Sequence, residues 1–222
     1  MTSLDLTYAV IWIALFILVS GPVHECAHAF TAWKMGDGTA KLFGRITLDP
    51  ITHFDPVGGG LLIISVVLGL VTNSSVAGFG WAKPTPVNPY NLRGKYADTI
   101  VAAAGPLSNL ALAIVFAIGF RFMWAGNAFP TNDNVPDLIA LIFYLGVEIN
   151  LLLMLFNFIP IAPLDGSHVL LDLVSPRTAM ELRSYMNQYG VMLLVVVVLL
   201  AGRILQPIMA PIGNFLIGVP LY

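Results

Sequence analysis

The chain has 222 residues, of which 58% are hydrophobic and 10% charged, and its mean hydropathy is +0.86. This composition lies outside the range of soluble globular domains and indicates a polytopic membrane protein. The formal net charge of −2 gives no reason to expect a nucleic-acid partner, and the single cysteine, Cys26, excludes an internal disulfide framework.

Four apolar runs are long enough to cross a bilayer of about 30 Å, for which roughly 20 helical residues are needed. They cover residues 8–33, 99–124, 138–159 and 189–209. A fifth run, residues 57–71, is shorter and contains three consecutive glycines near its start, which disfavour a rigid spanning helix. No basic residue precedes the first run and no small-residue cleavage site follows it, so we expect this run to stay in the protein.

Two connecting segments have patterns of their own. Residues 41–56 read KLFGRITLDPITHFDP, in which β-branched and aromatic residues between turn residues predict one or two short strands. We expect the strand edge near residues 46–48 to pair with an extended peptide. Residues 78–89 read GFGWAKPTPVNP, and their three prolines disfavour helix and predict an extended path over the surface.

The basic residues predict the orientation in the membrane. Of the ten Lys and Arg residues, eight lie in connections: Lys34, Lys41 and Arg45 after the first run, Lys83, Arg93 and Lys95 before the second long run, and Arg177 and Arg183 between the last two. The connection 125–137 carries only acidic charges, Asp133 and Asp137. By the positive-inside rule, the basic connections are cytoplasmic and the acidic one is external. This requires residues 57–79 to enter the membrane and return on the same side, or to lie on its surface.

These features together predict an all-α polytopic membrane protein with one domain over residues 1–222. We expect about four full transmembrane helices. A re-entrant or short fifth apolar segment and a small membrane-associated β element complete the predicted fold.

The first apolar run carries a His-Glu-x-x-His motif at His24, Glu25 and His28. On a helix, positions four apart lie about 6 Å apart on nearly the same side, so the two histidines can bind one metal ion. Two imidazoles with this spacing suit zinc. Glu25 lies one step round the helix, where it can take a proton from a metal-activated water without being a ligand.

A catalytic zinc usually has three protein ligands, so a third ligand is expected elsewhere in the chain. Asp165 is the best candidate, because prolines end the helix before it and Gly166 after it lets the backbone come close. Asp55 and Asp172 are the alternatives. Asp55 precedes a proline and has the context of a turn residue.

Three segments, in order, resemble the signature elements of the site-2 protease family, the intramembrane zinc metalloproteases of family M50. They are HECAH at residues 24–28, GPLSN at 105–109 and NFIPIAPLDG at 157–166. Residues 44–59 and 79–89 are similar to the compact prokaryotic branch of the family, which lacks PDZ and CBS domains. The resemblance implies one Zn²⁺ ion per chain.

The resemblance also implies roles for individual residues. His24, His28 and Asp165 become the zinc ligands and Glu25 the general base. Asn109 is implied to bind the substrate or stabilise the oxyanion, and the same suggestion extends to Asn157. An intramembrane asparagine can equally be a packing amide between helices.

Three further polar residues have roles that the sequence leaves open. His53 is either a part of the site or a loop residue bonded to a backbone group. His168 lies one turn past Asp165 and could support it. Glu148, inside the third long run, either faces a water channel or lies near a helix end.

We therefore expect an intramembrane zinc endopeptidase that hydrolyses peptide bonds within or near transmembrane helices of substrate proteins, as in regulated intramembrane proteolysis. The expected partners are a transmembrane protein substrate, membrane lipid and a regulatory membrane protein. The expected location is a prokaryotic cell membrane, with the active site towards the cytoplasmic side. The alternative is a non-enzymatic zinc-binding membrane protein, either a carrier or an inactive helix-binding relative.

Overall fold

The structure, a computed structural model, describes residues 3–72, 78–125 and 138–218. The helices in this part of the chain are α1 Ser3–Leu15, α2 Gly21–Lys34, α3 Thr39–Leu42, α4 Pro50–His53, α5 Pro56–Thr72, α6 Ala97–Ala125, α7 Leu138–Asn157, α8 Gly166–Leu173 and α9 Pro176–Ile217. A π-helical segment, Phe16–Ser20, joins α1 to α2, and a 3₁₀ turn covers Pro89–Asn91.

Four of the helical stretches are long and apolar enough to cross a membrane: Leu6–Lys34, Ala97–Met123, Leu138–Asn157 and Pro176–Ile217. They contain most of the four long runs predicted from the sequence, so the predicted all-helical architecture, with four helices long and apolar enough to span a membrane, is confirmed. The fifth apolar run forms α5, a shorter apolar helix. The predicted external connection, residues 125–137, falls almost entirely outside the described residues.

The first spanning stretch changes its helical geometry shortly before the histidine motif. Pro22 has no backbone N–H and cannot make the usual bond to the preceding turn. In the segment before it, the Gly21 N–H donates to the Phe16 carbonyl, five residues back, which is the π-helical pattern. The irregularity sets the rotation of α2, and with it the direction in which the two histidines project.

The predicted β element is wrong. Residues 41–56 include α4 and the end of α3, and no strand occurs in the described part of the chain. The Asp49 carboxylate accepts a hydrogen bond of 3.0 Å from the Ile51 N–H, and Pro50 occupies the first helical position. An aspartate cap followed by proline starts a helical turn, which overrides the strand preference of the neighbouring β-branched residues. Residues 46 and 47 lie in a bend and residue 48 has no regular secondary structure, so the predicted strand edge does not form.

The chain returns along α5 after that helix ends, through what we call the return segment (residues 78–93). The Phe79 N–H donates to Ser65 Oγ at 2.8 Å, and the Lys83 N–H donates to the His53 carbonyl, just before α5, at 2.7 Å. Residues 53 and 83, which come before and after the fifth apolar segment, therefore lie at the same end of α5. A hairpin of this kind is the geometry that a re-entrant fifth segment requires.

Helices α6 and α7 approach each other closely at two glycines. A Cβ atom at Gly146 would lie 2.4 Å from Cδ1 of Phe116, and one at Gly119 would lie 2.3 Å from Cε1 of Phe143. The two phenylalanine rings meet edge to face, with centroids 6.0 Å apart. Each ring fills the space above the glycine of the opposite helix, which allows the close approach typical of small residues in membrane helices.

We predict that Gly146→Ala lowers the free energy of unfolding by about 1–3 kcal/mol, because the new methyl group displaces the Phe116 ring. Gly60→Ala is the matched control, since a Cβ at Gly60 would meet no atom within 4 Å. Alanine favours helix over glycine, so this control should be neutral or slightly stabilising. Thermal unfolding in detergent measures both. Equal melting temperatures for the two variants would contradict the packing described.

Candidate metal centre

Three side chains that are distant in sequence converge at one point. The Nε2 atoms of His24 and His28 lie 3.0 Å apart, and Oδ2 of Asp165 lies 3.3 Å from the first and 3.4 Å from the second. The two histidines project from α2, and Asp165 immediately precedes α8. The structure thus brings together the three residues predicted as metal ligands, and they form a group that could hold a metal ion.

A tight backbone turn positions Asp165. A Cβ atom at Gly166 would lie 2.3 Å from the carbonyl oxygen of Phe158, so this glycine is required where the chain folds back on itself. The Ser167 hydroxyl donates to the Leu164 carbonyl at 2.7 Å, and the His168 N–H donates to the Asp165 carbonyl at 3.0 Å. These bonds fix the start of α8 directly beside the carboxylate.

Gly105 of the GPLSN segment lets α6 approach the histidines. A Cβ atom at this position would lie 2.3 Å from Nε2 of His28 and 2.7 Å from Cε1 of His24. Any larger residue would occupy the space on which the three ligand atoms converge. The first residue of the GPLSN motif, Gly105, is therefore required for steric reasons.

Hydrogen bonds at the opposite ring nitrogens orient both imidazoles. Nδ1 of His28 lies 2.8 Å from the Val101 carbonyl oxygen, which can only accept, so Nδ1 carries the proton. Nδ1 of His24 lies 2.6 Å from Oδ1 of Asn109 and donates to it. With both protons on Nδ1, both Nε2 atoms present lone pairs towards Asp165.

The arrangement fits a zinc ion. Three electron-pair donors face one another, and Oδ2 of Asp165 is buried without a hydrogen-bond partner in the described part of the chain. Lone pairs so close together repel each other unless a cation lies between them. Two imidazole nitrogens and one carboxylate oxygen form a common ligand set of catalytic zinc, which keeps a further position for water.

Glu25, the predicted general base, follows His24 on α2 and contacts the return segment. Its Oε2 accepts a hydrogen bond of 2.8 Å from the Thr85 N–H, and the Thr85 hydroxyl donates to the Glu25 carbonyl at 3.0 Å. Thr85 lies between Pro84 and Pro86, which restrict its backbone to an extended path. The segment predicted to run over the surface therefore holds the carboxylate of the predicted base.

Asp37 anchors the far end of the return segment. Its buried carboxylate accepts bonds from the Asn88 N–H at 2.7 Å and from the Asn91 amide at 3.0 Å, and the Thr39 hydroxyl donates to it at 2.6 Å. Burial acts to raise the pKa of Asp37, but the hydrogen bonds from Thr39, Asn91 and Asn88 hold it below its ordinary value. The ionised carboxylate thus joins the return segment to the start of α3.

Asn109, predicted as a catalytic residue, lies behind His24. Its side chain is completely buried, and its amide contacts the Nδ1 side of the imidazole rather than the side on which the ligand atoms converge. In this structure Asn109 orients His24, a predicted ligand. Its predicted contact with substrate or oxyanion stays a prediction.

The alternative third ligands have other partners. Asp55 accepts hydrogen bonds from the N–H groups of Val57 and Gly58, at 2.9 and 2.8 Å, at the start of α5. Asp172 accepts a bond of 2.6 Å from the Thr99 hydroxyl and thereby joins α8 to α6. Neither belongs to the metal-binding group.

The residues whose roles the sequence left open also lie outside this group. His53 is buried, and its Nε2 lies 2.8 Å from the Thr47 carbonyl, as expected for a histidine bonded to the backbone. Asn157 donates to the Leu153 carbonyl at 2.9 Å within α7, where Glu148 is half-buried. Nδ1 of His168 donates to Asp98 at 2.8 Å, a bond that raises the pKa of His168 against the effect of burial.

Comparison with known proteins places the chain in a family. Residues 128–201 match Peptidase family M50. YwhC of Bacillus subtilis, a protein named as a zinc metalloprotease, is 37% identical over 203 residues, which cover 89% of this chain and 85% of YwhC. The chain belongs to peptidase family M50.

Two further M50 relatives, both named as zinc metalloproteases, are the Rip2 proteins of Mycolicibacterium smegmatis and Mycobacterium tuberculosis. The first is 31% identical over 196 residues, covering 85% of this chain and 69% of the relative. The second is 30% identical over 190 residues, covering 80% of this chain and 63% of the relative. No solved structure matches the chain significantly.

Family membership confirms the resemblance predicted from the three motifs. Together with the four apolar helices, it makes this protein a multi-pass integral membrane zinc metalloprotease. Among the contacts that were not predicted are that of Thr85 with Glu25 and that of Asn150 on α7, whose Oδ1 accepts a bond of 2.9 Å from Nδ2 of Asn109. The only signals in the sequence are a lone threonine between prolines and an asparagine in an apolar helix.

We predict that Asp165→Ala purifies with much less zinc than the unchanged protein, because two imidazoles alone leave the ion short of its anionic ligand. Metal analysis of the purified protein gives the zinc content per chain. Glu181→Ala, which removes an exposed carboxylate paired with Arg177 on α9, serves as the control and should retain zinc. Full zinc in the Asp165 variant would exclude this carboxylate as a ligand.

We also predict that Glu25→Ala speeds hydrogen exchange at Thr85 by about tenfold or more, since a hydrogen bond to a charged group contributes about 1.5–3 kcal/mol. Residues 84–87 have only two backbone N–H groups, those of Thr85 and Val87, because the other two residues are prolines. Mass spectrometry of peptides from this region therefore isolates the signal. The Asn88 N–H, which is bonded to Asp37, is the internal control and should stay protected. Unchanged exchange at Thr85 would contradict the contact.

Proposed function

We propose that this M50 protease is an intramembrane endopeptidase that cuts peptide bonds within or near transmembrane helices of its substrates. The observation that carries the proposal is the position of the metal centre on membrane-spanning stretches. His24 and His28 lie within the stretch Leu6–Lys34, and Gly105 lies within Ala97–Met123. His28 precedes Lys34 by six residues, about 9 Å of helix, so the centre lies inside the apolar stretch but near its end.

A substrate that reaches such a centre must itself be in the membrane. The carbonyl groups of an α-helix are bonded within the helix, so the scissile segment has to unwind locally before it can react. Helix-breaking residues near the cleavage point would favour this unwinding.

The chemistry follows from the residues in place. Held by His24, His28 and Asp165, zinc would supply a Lewis acid that polarises the scissile carbonyl and increases the acidity of a water molecule. Glu25 accepts a proton from the attacking water and returns it to the leaving amine, so that one water molecule is consumed for each peptide bond cut. Because Thr85 bonds to Oε2 of Glu25, the carboxylate keeps its second oxygen for the proton.

The proposed orientation puts the centre towards the cytoplasmic side of a prokaryotic cell membrane. Lys34 ends α2, and its Nζ lies 4.5 Å from the ring centroid of Trp33, while Nζ of Lys41 lies 4.0 Å from the same centroid. Tryptophan with lysines is typical of the membrane–water interface, and basic residues favour the cytoplasmic side. The proposed partners are a transmembrane protein substrate, membrane lipid and a regulatory membrane protein, as in regulated intramembrane proteolysis.

We predict that Glu25→Gln abolishes cleavage of a reporter with a transmembrane helix while zinc stays bound. Glutamine cannot take the proton from water, and general-base catalysis typically contributes 10²–10⁴-fold to the rate. The assay uses purified protein in detergent or liposomes, with metal analysis of the same samples. Glu181→Gln, an exposed site on α9, is the matched control and should cleave normally. Undiminished cleavage by the Glu25 variant would overturn the proposed role of this residue.

A further inference from the structure

Two buried side-chain amides form a chain of hydrogen bonds with His24. Asn109 on α6 and Asn150 on α7 are both completely inaccessible to solvent. Nδ2 of Asn109 donates to Oδ1 of Asn150 at 2.9 Å, and Nδ2 of Asn150 donates to the Gly146 carbonyl at 2.8 Å. A chain of hydrogen bonds therefore leads from the imidazole of His24 through two helices to a backbone carbonyl.

The orientation of the Asn109 amide decides whether His24 can bind a metal. The two ends of a carboxamide have nearly the same shape, but one accepts a hydrogen bond and the other donates. With Oδ1 towards the imidazole, the proton of His24 stays on Nδ1 and Nε2 has a free lone pair. With the amide reversed, Nδ1 would have to accept, and the proton would move to Nε2 and block the metal position.

Asn150 removes this ambiguity. The Gly146 carbonyl can only accept, so Asn150 must present Nδ2 to it and Oδ1 to Asn109. Asn109 must then present Nδ2 to Asn150, which leaves its own Oδ1 facing His24. The Ser20 carbonyl, 3.4 Å from Nδ2 of Asn109, supports the same orientation through a longer contact.

We propose that Asn150 is a positioning residue that, through Asn109, keeps the proton of His24 on Nδ1 and its Nε2 available to zinc. The proposal rests on the zinc centre of the proposed function but not on the identity of the substrate. Because the network is buried, an unpaired amide cannot turn to water for a replacement partner. Groups that orient metal ligands in this way typically change metal affinity by 10–100-fold.

The test is a double-mutant cycle read by zinc affinity, from competition with a chelator and without any cleavage assay. Asn150→Leu, of similar size, removes the partner of Asn109 and should weaken zinc binding about 10–100-fold. In an Asn109→Asp background, both carboxylate oxygens accept, so the ligand-facing atom is an acceptor in either orientation. There, Asn150→Leu should cause no loss of zinc affinity, since it removes an Oδ1 atom that would otherwise face one of these carboxylate oxygens.

Packing alone would give a different result. If Asn150 only filled space, Asn150→Leu would have the same effect in both backgrounds, and this outcome overturns the proposal, as does wild-type affinity in the single variant. Should Asn150→Leu fail to fold, the smaller change Asn150→Ala takes its place in the same cycle. A loss of zinc affinity that the Asn109→Asp background suppresses then supports the proposal, and equal losses in both backgrounds overturn it.

The same measurements separate this proposal from the proposed function. Unchanged protein that binds zinc tightly but cuts no transmembrane reporter would count against the endopeptidase and leave the role of Asn150 intact. Normal cleavage and zinc affinity in Asn150→Leu would count against Asn150 alone. Absence of zinc binding by the unchanged protein would overturn both.

Discussion

Mutual repulsion among three buried lone pairs is the constraint on which the site depends. His24, His28 and Asp165 place their donor atoms within 4.8 Å of one another, in surroundings that offer little water to screen them. The arrangement persists only if each donor group is fixed by its own contacts and a cation can bind between the three donor atoms. The Val101 carbonyl and the Asn109 amide provide this support for the imidazoles, and the turn at the start of α8 provides it for the carboxylate.

These contacts form only where helices approach closely, and glycine makes that approach sterically feasible. At Gly105 the helix α6 lies so close to the imidazoles that no side chain fits. Further along the same helix, Gly119 accommodates Phe143, while Gly146 of α7 accommodates Phe116. Gly146 has a second role, because its carbonyl is the fixed acceptor for Asn150. Packing between α6 and α7 and orientation of the ligands are thus properties of one interface.

Local sequence patterns predicted the features that a short segment determines by itself. Hydrophobic length predicted the four helices that are long enough to span a membrane, and the four-residue spacing of His24 and His28 predicted two metal ligands on one helix face. The β element was predicted wrongly, because strand preference in residues 41–56 is weak compared with the cap at Asp49. The contacts of Thr85 and Asn150 span 60 and 41 residues of sequence, and no local pattern specifies such pairs.

Two separate sets of contacts support the two predicted requirements of the site, the metal ligands and the general base. The ligand imidazoles are oriented from α6 and α7, whereas the Glu25 carboxylate is held by the return segment, which is itself anchored at Ser65, His53 and Asp37. Changes in the buried amides should therefore affect the predicted metal ligands first, and changes in the return segment should affect the predicted base first. Because His24 and Glu25 are adjacent on α2, the rotation of that helix couples the two sets. The π-helical segment before Gly21, which sets this rotation, then acts on both at once.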